Sequence, residues 1–525
     1  MFFETFAVLS ATPGTTAGEQ ATLGGYHNSG DDGGGEFYWD SSSTETANGG
    51  TIVAVTSVST GRWKRIITVP LNVRWFGAWG YTNTNNPQDD TAAISSTINA
   101  VPVSQTGSIV FPAGTYYISA IELGNRILTI DGQGSSLVCI GNADVAINII
   151  NTADIHDLNV SKKEASVTTA TVFRISGIRH KFRNIQTGST FTIVFDCYDM
   201  KESHFSMIRV DNDITGYTGN IFSFSYCVNN TISQSMLGYC DNAFYFSSTP
   251  HPTGGYKSEG ILITECITVF ADAAVNILAG TQISLIGNVF DFCSTYGIFQ
   301  SNGQNLVVHG NWIAARGVNG FIGIGGTVNL TGASIVGNQV QAGATVTSGS
   351  AFSFSGKNII VSSNYYINLN GGLVTDSSSQ VFGNTFSGSA TGIANVAGAT
   401  IALGNHRTIG YGLPSGSIAG TAYSDCGFTA VNDVNASYRA GVKYVRGSYS
   451  DQLGQRFYVS AGAGVEKDVF ILNENMDVGI PDQGYNKGKL ILGNYFFWVD
   501  ANGRLRIKNG RPTSDTDGTV VGTQA

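Results

Sequence analysis

The sequence predicts an all-β chain built around a right-handed parallel β-helix of about twelve coils, and three observations predict it. First, twelve short segments align so that one column is apolar in every row: Ile130, Ile155, Phe182, Phe205, Ile232, Ile263, Leu285, Val308, Ile335, Val361, Val381 and Ala402. Second, the rows recur about every 25 residues, the period of a solenoid. Third, another column runs between the rows: Ile147, Phe173, Val194, Phe222, Phe244, Val275, Ile298, Phe321, Phe352, Leu373 and Ile393. It lies mostly inside alternating segments such as IFSFS, AFYFS and AFSFS. Alternation buries one face of a strand and wets the other, so each coil carries at least two strands stacked on the coil below. With strands ~4.8 Å apart, eleven steps give a rod roughly 53 Å long. Leucine-rich repeats would need regular Leu spacing and helices, and a propeller would need longer repeats of four strands; the sequence shows neither.

Taken along the chain, residues 1–75 hold the strand-like stretches GEFYWD, TIVAVTS and GRWKRIIT and are predicted as a small N-terminal β module. In residues 76–129, Asp90 or Thr91 can cap a short helix carrying Ala92, Ile94 and Ile98 on one face. A helix there would cover the open end of the rod and shield its unpaired edge. GSIVFPAGTYYIS then reads as a strand, a Pro-Ala-Gly turn and a second strand. Residues 130–412 are the coils. In the later rows an Asn follows the apolar column, usually after Gly: Asn288, Asn311, Asn338, Asn364, Asn384 and Asn405. Gly and Asn tolerate left-handed backbone, so these pairs are read as the corners. Residues 413–525 change to strands of irregular spacing (YRAGVKYVRGSY, QRFYVSAG, KDVFILN, GKLILGNYFFWVD, GRLRIKNG). They are predicted as a C-terminal all-β domain, a sandwich.

Composition excludes several functions. A formal net charge of −9 argues against a nucleic-acid partner. No apolar run is long enough to span a bilayer, and MFFETFAVLSATPG lacks the basic flank and apolar core of a secretory signal, so synthesis in a cytoplasm is expected. The seven cysteines show no CxxC pair and no metal-ligand spacing, and are read as reduced thiols filling gaps between coils. P-loop, HExxH, GxSxG and EF-hand patterns do not occur in a supporting context; no cofactor and no metal are expected.

At this point the residues carry a resemblance. ANGGTIVAV with GRWKR, WFGAWG followed by QDDTAAI, IVFPAGTYYIS, the Gly-Asn coils and the terminal GRLRIKNGRPTSDTDGTVVGTQA together resemble a bacteriophage tailspike. Such spikes degrade capsule or O-antigen and have a pectate-lyase-like right-handed β-helix. The resemblance spans essentially the whole chain. It implies a homotrimer that binds and usually cleaves a bacterial surface polysaccharide, is made in the host cytoplasm, is carried on the virion tail and acts outside the cell. Many such spikes begin with a longer attachment domain that this sequence does not show. Either that segment lies outside this sequence or attachment to the phage tail uses an adaptor protein. The resemblance supplies no catalytic residues, because these spikes place carboxylates at different positions.

The site is therefore sought in the charges. Residues 131–291 hold fifteen Asp or Glu, whereas residues 302–404 hold three charged residues, Arg316, Lys357 and Asp376. Glycosidic cleavage normally needs two carboxyl groups flanking the bond. Asp241 precedes Phe244 by three and Asp272 precedes Val275 by three, which puts them at equivalent places on successive coils. They read either as a catalytic pair or as solvated corner residues. The long passage from Phe244 to Cys266 contains SSTPHPTGGYKSEG and contributes His251, Tyr256, Lys257 and Glu259; inserted loops on a rigid scaffold collect binding residues. Glu265, and Asp211 one coil earlier with Asp213 and Tyr217, are further candidates, each equally readable as structural. Outward positions beside the second column are Arg174, Phe195, Tyr245, Asn276 and Phe299. Aromatic faces there would stack on sugars, and Arg174 would hold an acidic sugar.

Three functions fit these residues. The first is an endo-acting hydrolase with Asp241 and Asp272 as acid and nucleophile or base, and Glu259, Glu265 and Asp211 in reserve. The second is a lyase using His251, Tyr256 or Lys257 as base with Arg174 neutralising a uronate. The third is a glycan-binding adhesin without catalysis.

Overall fold

The protein was analysed as a computed structural model. It describes residues 1–67, 70–80, 88–164, 166–187, 191–211, 218–249, 252–254, 257–317, 320–343, 349–369, 373–374, 379–387, 494–510 and 512–522, and through their backbone alone the strands between 401 and 492. From Leu71–Asn72 to His406–Thr408 the strands form one continuous parallel β-solenoid.

The first apolar column is the register of this solenoid. Ile130 pairs with Ile155, Ile155 with Phe182, Phe182 with Phe205, Phe205 with Ile232 and Ile232 with Ile263. The series continues through Leu285, Val308, Ile335, Val361, Val381 and Ala402. Two more rungs lie beneath it, Ile109 and then Leu71, so the segment expected as cap and entry is already wound into the rod.

The second column needs correction at three places. Its register runs Ile147, Phe173, Phe195, Phe222, Phe244, Val275, Ile298, Ile324 and Phe352. Phe195 therefore replaces Val194, Ile324 replaces Phe321, and Leu373 stands opposite Ser353 instead of Phe352. The cause is a pair of consecutive buried residues where the chain bends onto this face, as in Val172-Phe173, Val194-Phe195, Ile221-Phe222 and Ala243-Phe244. Paired burial erases the alternation that would fix the phase. Ile393 lies outside the described residues. The reward of the true register is a continuous ring stack, with Phe173, Phe195, Phe222 and Phe244 at successive centroid spacings of 5.2, 4.7 and 5.5 Å. Phe182 and Phe205, 4.9 Å apart, stack beside it.

Helix Thr91–Asn99 closes the end of this core: Ile94 and Ile98 pack over Ile109, Phe111, Ile121 and Leu123. Ala92 is exposed, and Thr97 takes the inward place expected for it, its hydroxyl donating to the Ala93 carbonyl at 2.9 Å. Asp90 stands at the N-cap but does not cap. Its carboxylate accepts the Trp79 and Tyr117 N–H groups, at 2.6 and 3.1 Å, and Asp89 accepts that of Thr91 at 2.9 Å. Asp90 thus ties the helix entrance to the first coil.

Ahead of the solenoid, a five-stranded sheet runs from Phe2–Thr5 to Arg62–Arg65 around Phe37, Trp39 and Trp63. Arg65 joins the two bodies. Its guanidinium lies 4.5 Å from the Phe37 ring centre and 4.4 Å from that of Trp75, and donates to the carbonyls of Gly33, Gly34 and Gly50. Beyond the solenoid come two antiparallel sheets, one spanning Thr429–Val431 to Val478–Gly479 and the other Leu490–Leu492 to Thr519–Val520.

The Gly-Asn pairs divide their labour differently from the sequence reading. The left-handed residue is the one before the Asn: Gly287, Gly310, Gly337, Ser363 and Gly383 have φ between 55° and 67°. The Asn side chains turn inward and are at most 2% exposed. In each step an amide nitrogen donates to the next side-chain oxygen at 2.9 Å, from Asn288 to Asn311, Asn338, Asn364 and Asn384. Each also donates to a column carbonyl of the preceding coil, as Asn338 does to Val308 at 2.8 Å. Replacing Asn338 with Ala strands the Asn311 N–H and amide donors in the core. The expected cost is about 3 kcal/mol, seen as a lower denaturant midpoint of the purified chain. All six described cysteines are buried and unpaired, and Cys426 lies outside the described residues.

Candidate functional site

Among the described residues left-handed backbone recurs at equivalent corners of the coils, three of which bear on the site. The corner after the first column carries Asp157, Asn184, Met207, Gln234 and Glu265 in the acidic half and mostly Gly beyond it. The corner that returns to the column carries Arg179, Glu202, Asn229, Gln282, Asn305 and Asn358. Between them, leading onto the face of the second column, stands a corner with Tyr239 (φ 53°), Phe270 (φ 58°) and Phe292 (φ 54°) on successive coils. Bulky aromatics are rare in this conformation, and such outliers concentrate at functional sites. Their rings form an outward stack, 4.9 Å from Tyr239 to Phe270 and 4.7 Å from Phe270 to Phe292, and the Arg316 guanidinium lies 5.6 Å from the Phe270 ring centre.

The predicted carboxylate pair sits at this same corner. Cys240 pairs with Ala271 and Asn242 with Ala273, so Asp241 and Asp272 face each other across one step of the solenoid, both exposed. Partial burial and the neighbouring charge of Asp272 raise the Asp241 pKa above the usual carboxylate range. A third carboxyl group, Asp291, precedes Phe292 and is also raised, by partial burial, against the opposing effect of the Phe292 N–H bond at 2.9 Å. Beneath the corner, burial and nearby negative charge push the Cys240 thiol far up, so it stays protonated. Asp291 and the three rings were missed by the sequence reading.

The other candidates are dispersed. Glu265 occupies the first corner, where the Gln234 amide donates to it at 3.2 Å. Glu259 lies on the return to the first column, in the row of Val228, Thr281 and Gln304. Lys257 belongs to that side too and donates to Asn302 at 2.7 Å. Asp211 lies at the edge of the aromatic corner one coil below the pair but is bonded to Arg209. His251, Tyr256, Asp213 and Tyr217 lie outside the described residues.

Four of the five outward positions form one row on the face of the second column. Its register is Glu122, Asn148, Arg174, Asp196, Ser223, Tyr245, Asn276 and Phe299. Phe195 is the exception: it is fully buried in the ring stack because the column phase is shifted by one. Arg174 is held by two carboxylates of the chain, Asp196 at 3.0 Å and Asp144 at 3.1 Å. Phe299 stacks on Tyr296 at 4.5 Å.

The family model described as phage tail protein small four-stranded beta-sheet domain matches residues 2–68. The search of curated proteins gives no match. Among solved structures, the chain is similar to Geobacillus virus E2 ORF18 at 11% identity and a TM-score of 0.45, covering 97% of this chain and 99% of that one. It is similar to the full-length tailspike protein 2 of Escherichia coli O157:H7 bacteriophage CAB120 at 15% identity and a TM-score of 0.45, covering 96% and 75%. The tailspike protein of Acinetobacter baumannii phage AM24 gives 14% identity and a TM-score of 0.42, covering 97% and 90%. The model described as capsule depolymerase matches residues 36–523, and on that match the chain belongs to the capsule depolymerase family.

Proposed function

We propose that this chain is a phage tailspike that binds a bacterial capsular polysaccharide and cuts it by endo-glycosidic hydrolysis at the Tyr239–Phe270–Phe292 corner. The observation that carries this reading is the coincidence of two facing carboxylates with an outward aromatic stack. Asp241, with its raised pKa, is the proton donor to the leaving oxygen, and Asp272 is the nucleophile or base. Equivalent Cα atoms on adjacent strands are ~4.8 Å apart, which suits a retaining pair about 5–5.5 Å apart or, with divergent rotamers, a wider inverting pair. The rings give sugar faces an apolar platform, and the row of Tyr245, Asn276 and Phe299 continues the path along the rod. The test is product analysis of capsule incubated with the protein. Hydrolysis releases shorter chains with new reducing ends and no new ultraviolet absorbance. An unsaturated product would indicate β-elimination, and unchanged chain length would indicate an adhesin.

Assembly as a homotrimer is part of the proposal. On the face between the first corner and the aromatic corner, Met236, Ile267, Val289 and Trp312 stand in register and point outward, with Met236 44% and Ile267 43% exposed. A contiguous apolar stripe of this kind fits a copy-to-copy contact. Replacing Ile267 with Arg is expected to lower the light-scattering mass from about three chains toward the 55.3 kDa of one, leaving the β spectrum unchanged. The N-terminal sheet fits attachment to the phage tail or an adaptor. Synthesis in the host cytoplasm and action at the bacterial surface follow from that role.

A further inference from the structure

A concavity of about 360 Å³ lies far from the aromatic corner, at the base of the rod. It forms where the chain leaving the N-terminal sheet, at Pro70, Asn72 and Trp75, overhangs the outward side of the first column. Its floor is a registered row, Asn72, Val110, Asp131 and His156, beside a second of Ser108 and Thr129, with Gln133 at the rim. Three steps of ~4.8 Å give a floor roughly 14 Å long, suited to two or three sugar rings.

The chemistry of the walls is selective. The side chains of Ser108, Thr129 and Gln133 have no hydrogen-bond partner among the described residues, so their capacity is open to a ligand in the groove. His156 Nδ1 lies 2.8 Å from Asp157 and 3.7 Å from Asp131, and Asp157 also accepts the Asn184 amide at 2.6 Å. These contacts hold a carboxylate and an imidazole edge in place as acceptors for hydroxyl or amide protons. Pro70, Val110 and Trp75 supply apolar surface. Among the described residues no lysine or arginine lines the concavity, so an anionic ligand would meet Asp131 without an ammonium or guanidinium group to offset it.

We propose that this groove is a second carbohydrate-binding site, separate from the cutting corner, that takes a short segment of neutral or N-acetylated sugars and disfavours uronic acids. The inference rests on the groove and stands or falls independently of catalysis at Asp241 and Asp272.

The test is saturation-transfer NMR on the full chain carrying Asp241→Asn and Asp272→Asn, with maltotriose, triacetylchitotriose and trigalacturonate as separate probes at millimolar concentration. The expected result is transfer to at least one neutral probe, lowered severalfold in Asp131→Ala and in Gln133→Ala, and weaker transfer to trigalacturonate that neither substitution changes. Both substituted positions are partly or fully exposed, so the fold should tolerate them. Transfer to neither neutral probe, transfer undiminished by both substitutions, or equal transfer to trigalacturonate that the substitutions lower would overturn the proposal. Activity of the unsubstituted chain on capsule reports the cutting corner, so the two readings fail separately.

Discussion

Replacing Asp241 with Asn is expected to lower turnover on capsule by about 100-fold or more, equivalent to ~2.7 kcal/mol of lost transition-state stabilisation. Asn keeps the shape of the side chain but has no acidic proton to give. The same change removes like charge from the Asp272 step, so the fold should be no less stable than the parent. The pH profile adds a second readout. Partial burial and Asp272 raise the Asp241 pKa, so its protonated form survives to higher pH than an ordinary Asp and is lost as pH rises through that raised value. Turnover should therefore fall on the alkaline side in the parent, and the residual activity of the Asn variant should lack that limb. Asp272→Asn should cost a similar factor. Near-parent rates in both variants would make the pair structural and move attention to Asp291.

Replacing Ile263 with Asp is expected to abolish soluble folding. Ile263 is fully buried and pairs with Ile232 below and Leu285 above. A carboxylate there would have no partner, and burying an unpaired charge costs more than the net stability of most domains, 5–15 kcal/mol. A solenoid transmits the fault to both neighbouring coils, because each coil is the template for the next. The readout is the soluble fraction after expression, against Ile263→Val as the mild control, for which a loss of about 1 kcal/mol is expected.

The fold was legible wherever one residue per coil carried the signal. The first column was read without error because in the early coils its inward residue stands between polar ones, as Asp154 and His156 flank Ile155, and the later coils continue the same period. The second column blurred at Val194-Phe195 because both residues are buried, and the site residue Phe195 was misplaced outward for the same reason. At the Gly-Asn pairs, sequence assigned the corner to both residues. The structure gives the corner to Gly and the inward hydrogen-bonded stack to Asn, a division that only the next coil's Asn reveals.

The carboxylate pair was visible because Asp241 and Asp272 each precede a residue of the second column by three positions. Tyr239, Phe270 and Phe292 each follow a residue of the first column by seven, so counting from that column would have exposed the ring stack. It was overlooked because bulky residues are not expected at left-handed corners. Glu259 was a reserve as part of the long inserted passage and Glu265 as a nearby acid, and neither observation says which corner a residue turns. The winding separates them onto the other two.

The measurement that tests the central claim most directly is a structure of the Asp241→Asn chain with a capsular oligosaccharide long enough to span the cut. The account predicts a glycosidic oxygen within hydrogen-bond distance of residue 241, Asp272 on the far side of the bond, and a sugar face against Phe270 or Phe292. An oligosaccharide bound elsewhere on the rod, with its scissile bond between other carboxylates, would contradict it.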